Sequence, residues 1–208
     1  MIELLVATRN AKKLAELRRV LDNAGVSGLT LISLDQIPAY AEAPETGATF
    51  EDNALAKARD GFAATGLPCL ADDSGLSVDA LNGMPGVLSA RWSGTHGDDS
   101  ANTALLLAQL REVPDERRAA AFVAACARVW GLEPDRQVVV RGQWSGRIAH
   151  RPRGDNGFGY DPVFVPDGRP GASCTAAQLS PAEKDAASHR GRALALLVPA
   201  LRELTRRA

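Results

Sequence analysis

The sequence has no CxxC pair, and its three cysteines, Cys69, Cys126 and Cys174, lie far apart. An odd number at wide spacing argues against a disulfide framework or a zinc site and points to a reducing cytoplasm. Histidine is equally scarce: His96, His150 and His189 are too scattered for a histidine-built transition-metal centre. No apolar run approaches membrane-spanning length, so a membrane partner is not expected. The opening "MIELLVATRN" has an acid at position 3 and turns polar after Ala7, which reads as a first strand rather than a signal peptide. Neither sign of charge prevails, with 24 Lys and Arg against 25 Asp and Glu and a formal net charge of −1. That balance gives no basic surface for nucleic acid and no acidic tail. Arg206 and Arg207 are the one basic feature at the end of the chain, and they read as a solvated helix terminus. A near-neutral chain that holds a polyanion must gather its cations locally, and the glycine-rich GxxxxGK[ST] phosphate loop is missing too.

What is present is an ordinary globular composition over 208 residues, 45% hydrophobic and 24% charged. Its length suits one large domain or two lobes sharing a core, and no separable linker stands out over 1–208, which reads as a single domain. Residues 2–7 form a short apolar run that suits a buried strand. Leu14, Leu17, Leu21 and Ala24 recur at helical spacing, and Gly25 closes that helix. "LTLIS" at 29–33 predicts a second strand. Thr49 and Asp52 have capping-box spacing, with Phe50, Ala54, Ala58 and Phe62 on one apolar face behind them. "PCLADDSGLSV" predicts a strand bent at Ser74-Gly75, and a helix is expected near 100–111. "AAAFVAACARVWG" and "QVVVRGQWSGRI" read as paired strands, with Ser145-Gly146 as a turn. Two helices finish the chain, the first starting at Ser180-Pro181 with Glu183 placed for a capping box. Strands alternating with helices, followed by a strand block, indicate α/β with a mixed sheet.

Four stretches carry chemistry. In "VATRNAKK" a strand ends and a helix begins, where free amides suit an anion. Thr8 and Asn10 add hydrogen-bonding side chains there and Lys13 adds a point charge; the plainer reading makes Asn10 a helix cap. In "ETGATFEDNALAKAR", Asn53 and Lys57 share a helix face and Glu45 is placed to accept a hard cation, or else this is a salt-bridged surface helix. In "LADDSGLSV", an extended backbone sends Asp72 and Asp73 to opposite faces, so they cannot play equal parts. Magnesium, an oxygen-seeking ion needing few carboxylates, would reconcile such a pair with burial; an Asx turn in a surface hairpin is the other reading. In "GDNGFGYDP" and "SHRGRA", glycines let a loop present an aromatic ring for base stacking, and His189 and Arg190 supply donors near a helix start; a hairpin with core aromatics would look similar.

Taken in order, "T-x-N-x-x-K", "ETG…F…NA…KA", "ADDSGL", "GxPGVxSARW", "GFGYDP" and "K…SHRG" closely resemble the inosine triphosphate pyrophosphatase family, also described as XTP/dITP diphosphatases. The likeness runs from about residue 5 to the final helix. It implies a two-lobed α/β fold, a long central mixed β-sheet flanked by helices with an active-site cleft between the lobes, and a homodimer. It also implies Mg2+-dependent hydrolysis of ITP, dITP and XTP to the monophosphate and pyrophosphate. By motif, Thr8, Arg9, Asn10 and Lys13 would hold the triphosphate. Glu45 and Asp73 would bind magnesium, with Asp73 the general base, Asp72 assisting and Lys57 adding charge. Ser74, Phe158, Gly159, Tyr160, Asp161, Lys184, His189 and Arg190 would line the nucleotide pocket. Arg9 departs from the Gly or Ser that many relatives carry. A Maf-like pyrophosphatase acting on pyrimidines, and a nucleotide sensor with a dead site, are the competing readings.

Overall fold

The computed structural model describes residues 1–42, 44–168 and 174–206. Ile2–Val6 forms β1, Ala11–Asn23 α1, Leu29–Ser33 β2, Phe50–Thr65 α2 and Cys69–Val78 β3. Then follow α3 at Asp99–Gln109, β4 at Ala119–Val129, β5 at Gln137–Ile148 and β6 at Phe164–Pro166. Pro181–Ala187 (α4) and His189–Arg206 (α5) complete the order. The strands form a six-stranded sheet in the order β2-β1-β3-β4-β5-β6. β1 runs parallel to β2 and β3, whereas β6 runs antiparallel to β5. The sheet is therefore mixed, as the alternation of patterns predicts.

The chain divides into two compact units. The first comprises residues 1–73, 124–142 and 190–208, and the second 74–123 and 143–189. β3, β4 and β5 each contribute residues to both units. The first unit has its own core, in which Leu4, Val6 and Leu70 of the strands meet Leu17 and Leu21 of α1 and Leu194, Leu197, Leu201 and Leu204 of α5. The i, i+3, i+4, i+7 spacing of those helical residues puts them on one face. The second unit is built on Leu76, Val78, Leu106, Leu110, Phe122, Trp144, Ile148 and Phe164. Phe164 packs on Phe122 with ring centroids 4.6 Å apart and on Trp144 at 5.5 Å.

Local signals explain the helix starts. Thr49 and Asp52 form the expected capping box, and α2 closes on Gly66 in the left-handed conformation. Ser180 and Glu183 form another at α4. One expectation needs revision, and one strand went unread. The three-residue strand β6 gave no pattern long enough to read. Ser145-Gly146 is not a turn: β5 runs through it, and Gly146 pairs with Pro166. The glycine serves a close approach instead, since a Cβ there would run into the Val165 carbonyl and lie 2.7 Å from Phe164 Cζ.

Gly146→Ala should therefore lower the free energy of unfolding by about 1–3 kcal/mol, the range for overpacking a tight core position. Urea unfolding checks it; an unchanged midpoint and slope would show that the neighbouring strand yields freely.

Candidate functional site

The first unit carries a network of buried charge around β3. Where β1 gives way to α1, the Asn10 amide donates to Thr8 Oγ1 at 3.2 Å, and Asn10 Oδ1 accepts from the Lys13 amide at 3.4 Å. Thr8 and Asn10 thus shape the turn, and Asn10 caps the helix as its plainer reading had it. Arg9 points outward to Glu42 at 2.5 Å and is largely exposed. Lys13 turns the other way, its ammonium 2.8 Å from Asp72 Oδ2.

Asp72 has a second cation. Arg190, the second residue of α5, donates its Nε to the same oxygen at 3.2 Å and its Nη1 to Glu16 of α1 at 3.2 Å. Asp72, Glu16 and Arg190 are all buried. Burial alone would raise the Asp72 pKa; the charges of Lys13 and Arg190 outweigh it and hold the carboxyl well below the usual range. Arg190 was expected among nucleotide-pocket donors, and in the structure it is the buried counter-ion of two carboxylates.

Asp73, the next residue, meets a different set. Asn53 Nδ2 donates to its Oδ2 at 3.0 Å, and Lys57 Nζ lies 3.4 Å from its Oδ1. Lys57 also pairs closely with Glu45. One ammonium nitrogen therefore touches carboxylates from the strand and from the loop before α2. Burial raises the Asp73 pKa, and Lys57 and Asn53 offset it only in part. Burial pulls Lys57 down, but Asp73 and Glu45 more than restore it, so it stays a cation. Asn53 does further work, because its Oδ1 accepts from the Gly47 amide at 2.8 Å and so fixes the Glu45 loop. A Cβ on Gly47 would sit 2.6 Å from that oxygen, which explains the glycine of "ETG".

The second unit holds another group. Phe158 is 42% exposed at the tip of its loop. Its amide donates to Asp161 Oδ2 at 2.8 Å, and the same carboxylate pairs closely with Lys184. Lys184 Nζ stands 4.8 Å from the centre of the Phe158 ring, a cation–π contact. Tyr160 is buried, its hydroxyl donating to the Ser89 carbonyl at 2.9 Å, so it anchors the loop. His189 is buried and stacks on Phe122 at 5.0 Å. Ser74 is half-buried on β3, and Gly159 lies in the loop at φ +60°.

Thr8, Asn10, Lys13, Glu45, Lys57, Asp72, Asp73 and Arg190 belong to the first unit. Ser74, Phe158, Gly159, Tyr160, Asp161, Lys184 and His189 belong to the second. Sequence reasoning missed Glu16 outright and left Asn53 without a task. For Glu16 a signal existed: it lies three residues after Lys13, on the same helix face.

Comparison with known proteins identifies relatives along nearly the whole chain. A dITP/XTP pyrophosphatase of Mycolicibacterium paratuberculosis is 75% identical over 206 residues, covering 99% of this chain and 98% of the relative. One from Nocardia farcinica is 70% identical over 207 residues, covering 100% and 98%. The solved structure of a nucleoside-triphosphatase, dITP/XTP pyrophosphatase, from Mycobacterium abscessus superposes with a TM-score of 0.79 at 67% identity, covering 96% of this chain and all of that one. A HAM1 protein from Coxiella burnetii gives 0.86 at 40% identity, covering 98% of this chain and all of its own. The Ham1 family model matches residues 4–200, and the chain belongs to the Ham1 family.

Proposed function

We propose that this chain is a nucleoside-triphosphate pyrophosphatase that hydrolyses deaminated purine nucleotides, ITP, dITP and XTP, to the monophosphate and pyrophosphate. Relatives at 70–75% identity carry the name dITP/XTP pyrophosphatase. The observation that carries the chemistry is the sharing of Lys57 by Glu45 and Asp73, with the Asp73 pKa raised. Two carboxylates that both touch one ammonium already hold a common positive charge. They suit a hard divalent ion, since Mg2+ takes one or two carboxylates and completes its shell with water and phosphate oxygens. Among the described residues there is no group of three or more His, Cys, Asp or Glu that could hold a metal ion. Bound there, Mg2+ would supply positive charge against the phosphates and acidify water.

The residues then divide the work. A water attacks the α-phosphorus; its oxygen bonds to phosphorus as the α–β bridging bond breaks, and pyrophosphate leaves. Asp73 takes the water's proton, for which a carboxyl raised towards neutrality by burial is suited. Lys57 orients Asp73 and adds charge. Thr8, Asn10 and Lys13 meet the phosphates at the start of α1, where helix amides face outward. Asp72 assists by holding Lys13 and Arg190 in place. On the base side, the Phe158 ring offers a stacking surface beside Lys184. Donors aimed at a 6-keto oxygen would face adenine's amino group unpaired, at about 1–3 kcal/mol per lost bond. We carry a homodimer and a cytoplasmic location as parts of the same reading. No described helix is long and apolar enough to cross a membrane.

Asp73→Asn should cut kcat for dITP at least about a hundredfold, the lower end for removing a general base. The readout is pyrophosphate release with Mg2+ over a panel of dITP, XTP, dGTP, dATP and UTP. Binding without turnover in the native chain, or a preference for UTP, would defeat the proposal, as would full activity in the variant.

Asp72→Asn tests a different part. Its folded pKa is depressed, so the ionised form stabilises the fold above the unfolded value near 4, and that contribution fades as pH falls below it. Removing the carboxylate strands Lys13 and half of Arg190's pairing, at roughly 3–5 kcal/mol. Guanidinium unfolding at pH 7 and pH 3 should show the gap from the native chain narrowing at pH 3. A gap that is constant or widens in acid would contradict the pairing.

A further inference from the structure

Helix α3 opens on two adjacent acids that do different things. Asp98 is the N-cap, its carboxylate accepting from the Ala101 amide at 2.9 Å. Asp99 is free of that duty, and its Oδ2 accepts from the Gly159 amide at 2.7 Å. One turn along, Thr103 Oγ1 donates to the Gly159 carbonyl at 3.4 Å. Residues four apart share a helix face, so one edge of α3 ties both main-chain polar groups of Gly159.

Asn102 stands on the same edge and serves a second loop. Its Oδ1 accepts from the Ser93 amide at 2.7 Å, and its Nδ2 donates to the Ala90 carbonyl at 3.3 Å. Asn102 and Thr103 are buried, and Leu106 and Leu110 continue the stripe into the core. An amphipathic helix ordinarily fills such positions with apolar side chains. Buried polar groups there stabilise nothing unless partnered, so their partners mark what the helix is holding.

What it holds is the loop bearing Phe158. The Phe158 amide is tied to Asp161, and the next residue is tied to α3 on both sides. The exposed ring thus stands on a fixed backbone, and little ordering remains to be done when a base stacks on it. We propose that Asp99 and Thr103 are positioning residues for base recognition, setting through Gly159 where the Phe158 ring meets the purine. This rests on the reading of Phe158 as the stacking surface. Both would act through Gly159 rather than by contact with the substrate.

Steady-state kinetics with dITP test it on Asp99→Ala, Thr103→Val and Asp99→Asn, with Phe158→Ala as the reference. Competitive inhibition by tripolyphosphate, which has no base, reads the phosphate grip separately. Asp99→Ala should raise KM for dITP about tenfold, the scale of one weakened stacking contact, with kcat within about twofold. Its tripolyphosphate inhibition should match the native chain. Asp99→Asn keeps an acceptor oxygen and should recover most of the loss. Adding Asp99→Ala to Phe158→Ala should cost nothing further. If Asp99→Ala does not fold, Thr103→Val is read by the same criteria. A raised KM in Phe158→Ala with native KM in Asp99→Ala and Thr103→Val would overturn the positioning role alone. A native KM in Phe158→Ala would overturn the stacking surface and this proposal with it. Equal losses for dITP and tripolyphosphate would reduce Asp99 to a structural residue.

Discussion

Two carboxylates on consecutive residues of a buried strand impose the condition that the rest of the first unit meets. Strand alternation sends Asp72 and Asp73 to opposite faces, so no single cation can neutralise both at short range. An uncompensated buried ion costs several kcal/mol even after relaxation. Each face therefore has its own supply. Asp72 receives Lys13 from α1 and Arg190 from α5, and Asp73 receives Lys57 and Asn53 from α2. The starts of two helices and one face of a third are thus placed by the charge of two neighbouring side chains. The protein's own cations make the pair tolerable without any ion added to it.

The same arrangement pushes the two acids apart in chemistry. Asp72, with two full cations on one oxygen, is held ionised far below neutrality and cannot exchange a proton under ordinary conditions. Asp73 is less generously paired, shares its lysine with Glu45 and is raised by burial. Neighbouring carboxyls whose surroundings drive them in opposite directions are what acid–base work needs, because one fixes the framework while the other moves protons. In the proposed function the division of roles between the pair follows from which helix each side chain faces rather than from their sequence order.

How much of this was legible depended on distance along the chain. The capping boxes at Thr49 and Ser180, the Gly25 that closes α1 and the apolar stripe of α1 are local, and the structure reproduces them. Gly146 misled because glycine marks both turns and close approaches, and only the β6 partner decides which. The residues of the charge network were mostly named, yet their partners were not. Arg190 reaches Asp72 across 118 positions and Glu16 across 174, and no spacing rule spans such gaps. Asn53 was seen to share a face with Lys57; that it also pins Gly47 needed the loop's actual path. In α3, Asp99 meets the Gly159 amide across 60 positions, and nothing local signals that contact.

Arg190 shows why residue type matters as much as charge in this setting. It must satisfy carboxylates from two different elements while almost wholly removed from water. A guanidinium presents several donors in a rigid planar fork, so its Nε can serve Asp72 while Nη1 serves Glu16. An ammonium is a compact, strongly hydrated charge at the end of a flexible stem. It would lose more on burial and could not be aimed at both oxygens by one fixed geometry. The fork makes α5 begin where β3 and α1 need it, and it leaves Lys13 with a fixed partner at the turn shaped by Thr8 and Asn10. The orientation of that turn is thus a consequence of the buried arginine, reached through a single shared aspartate oxygen.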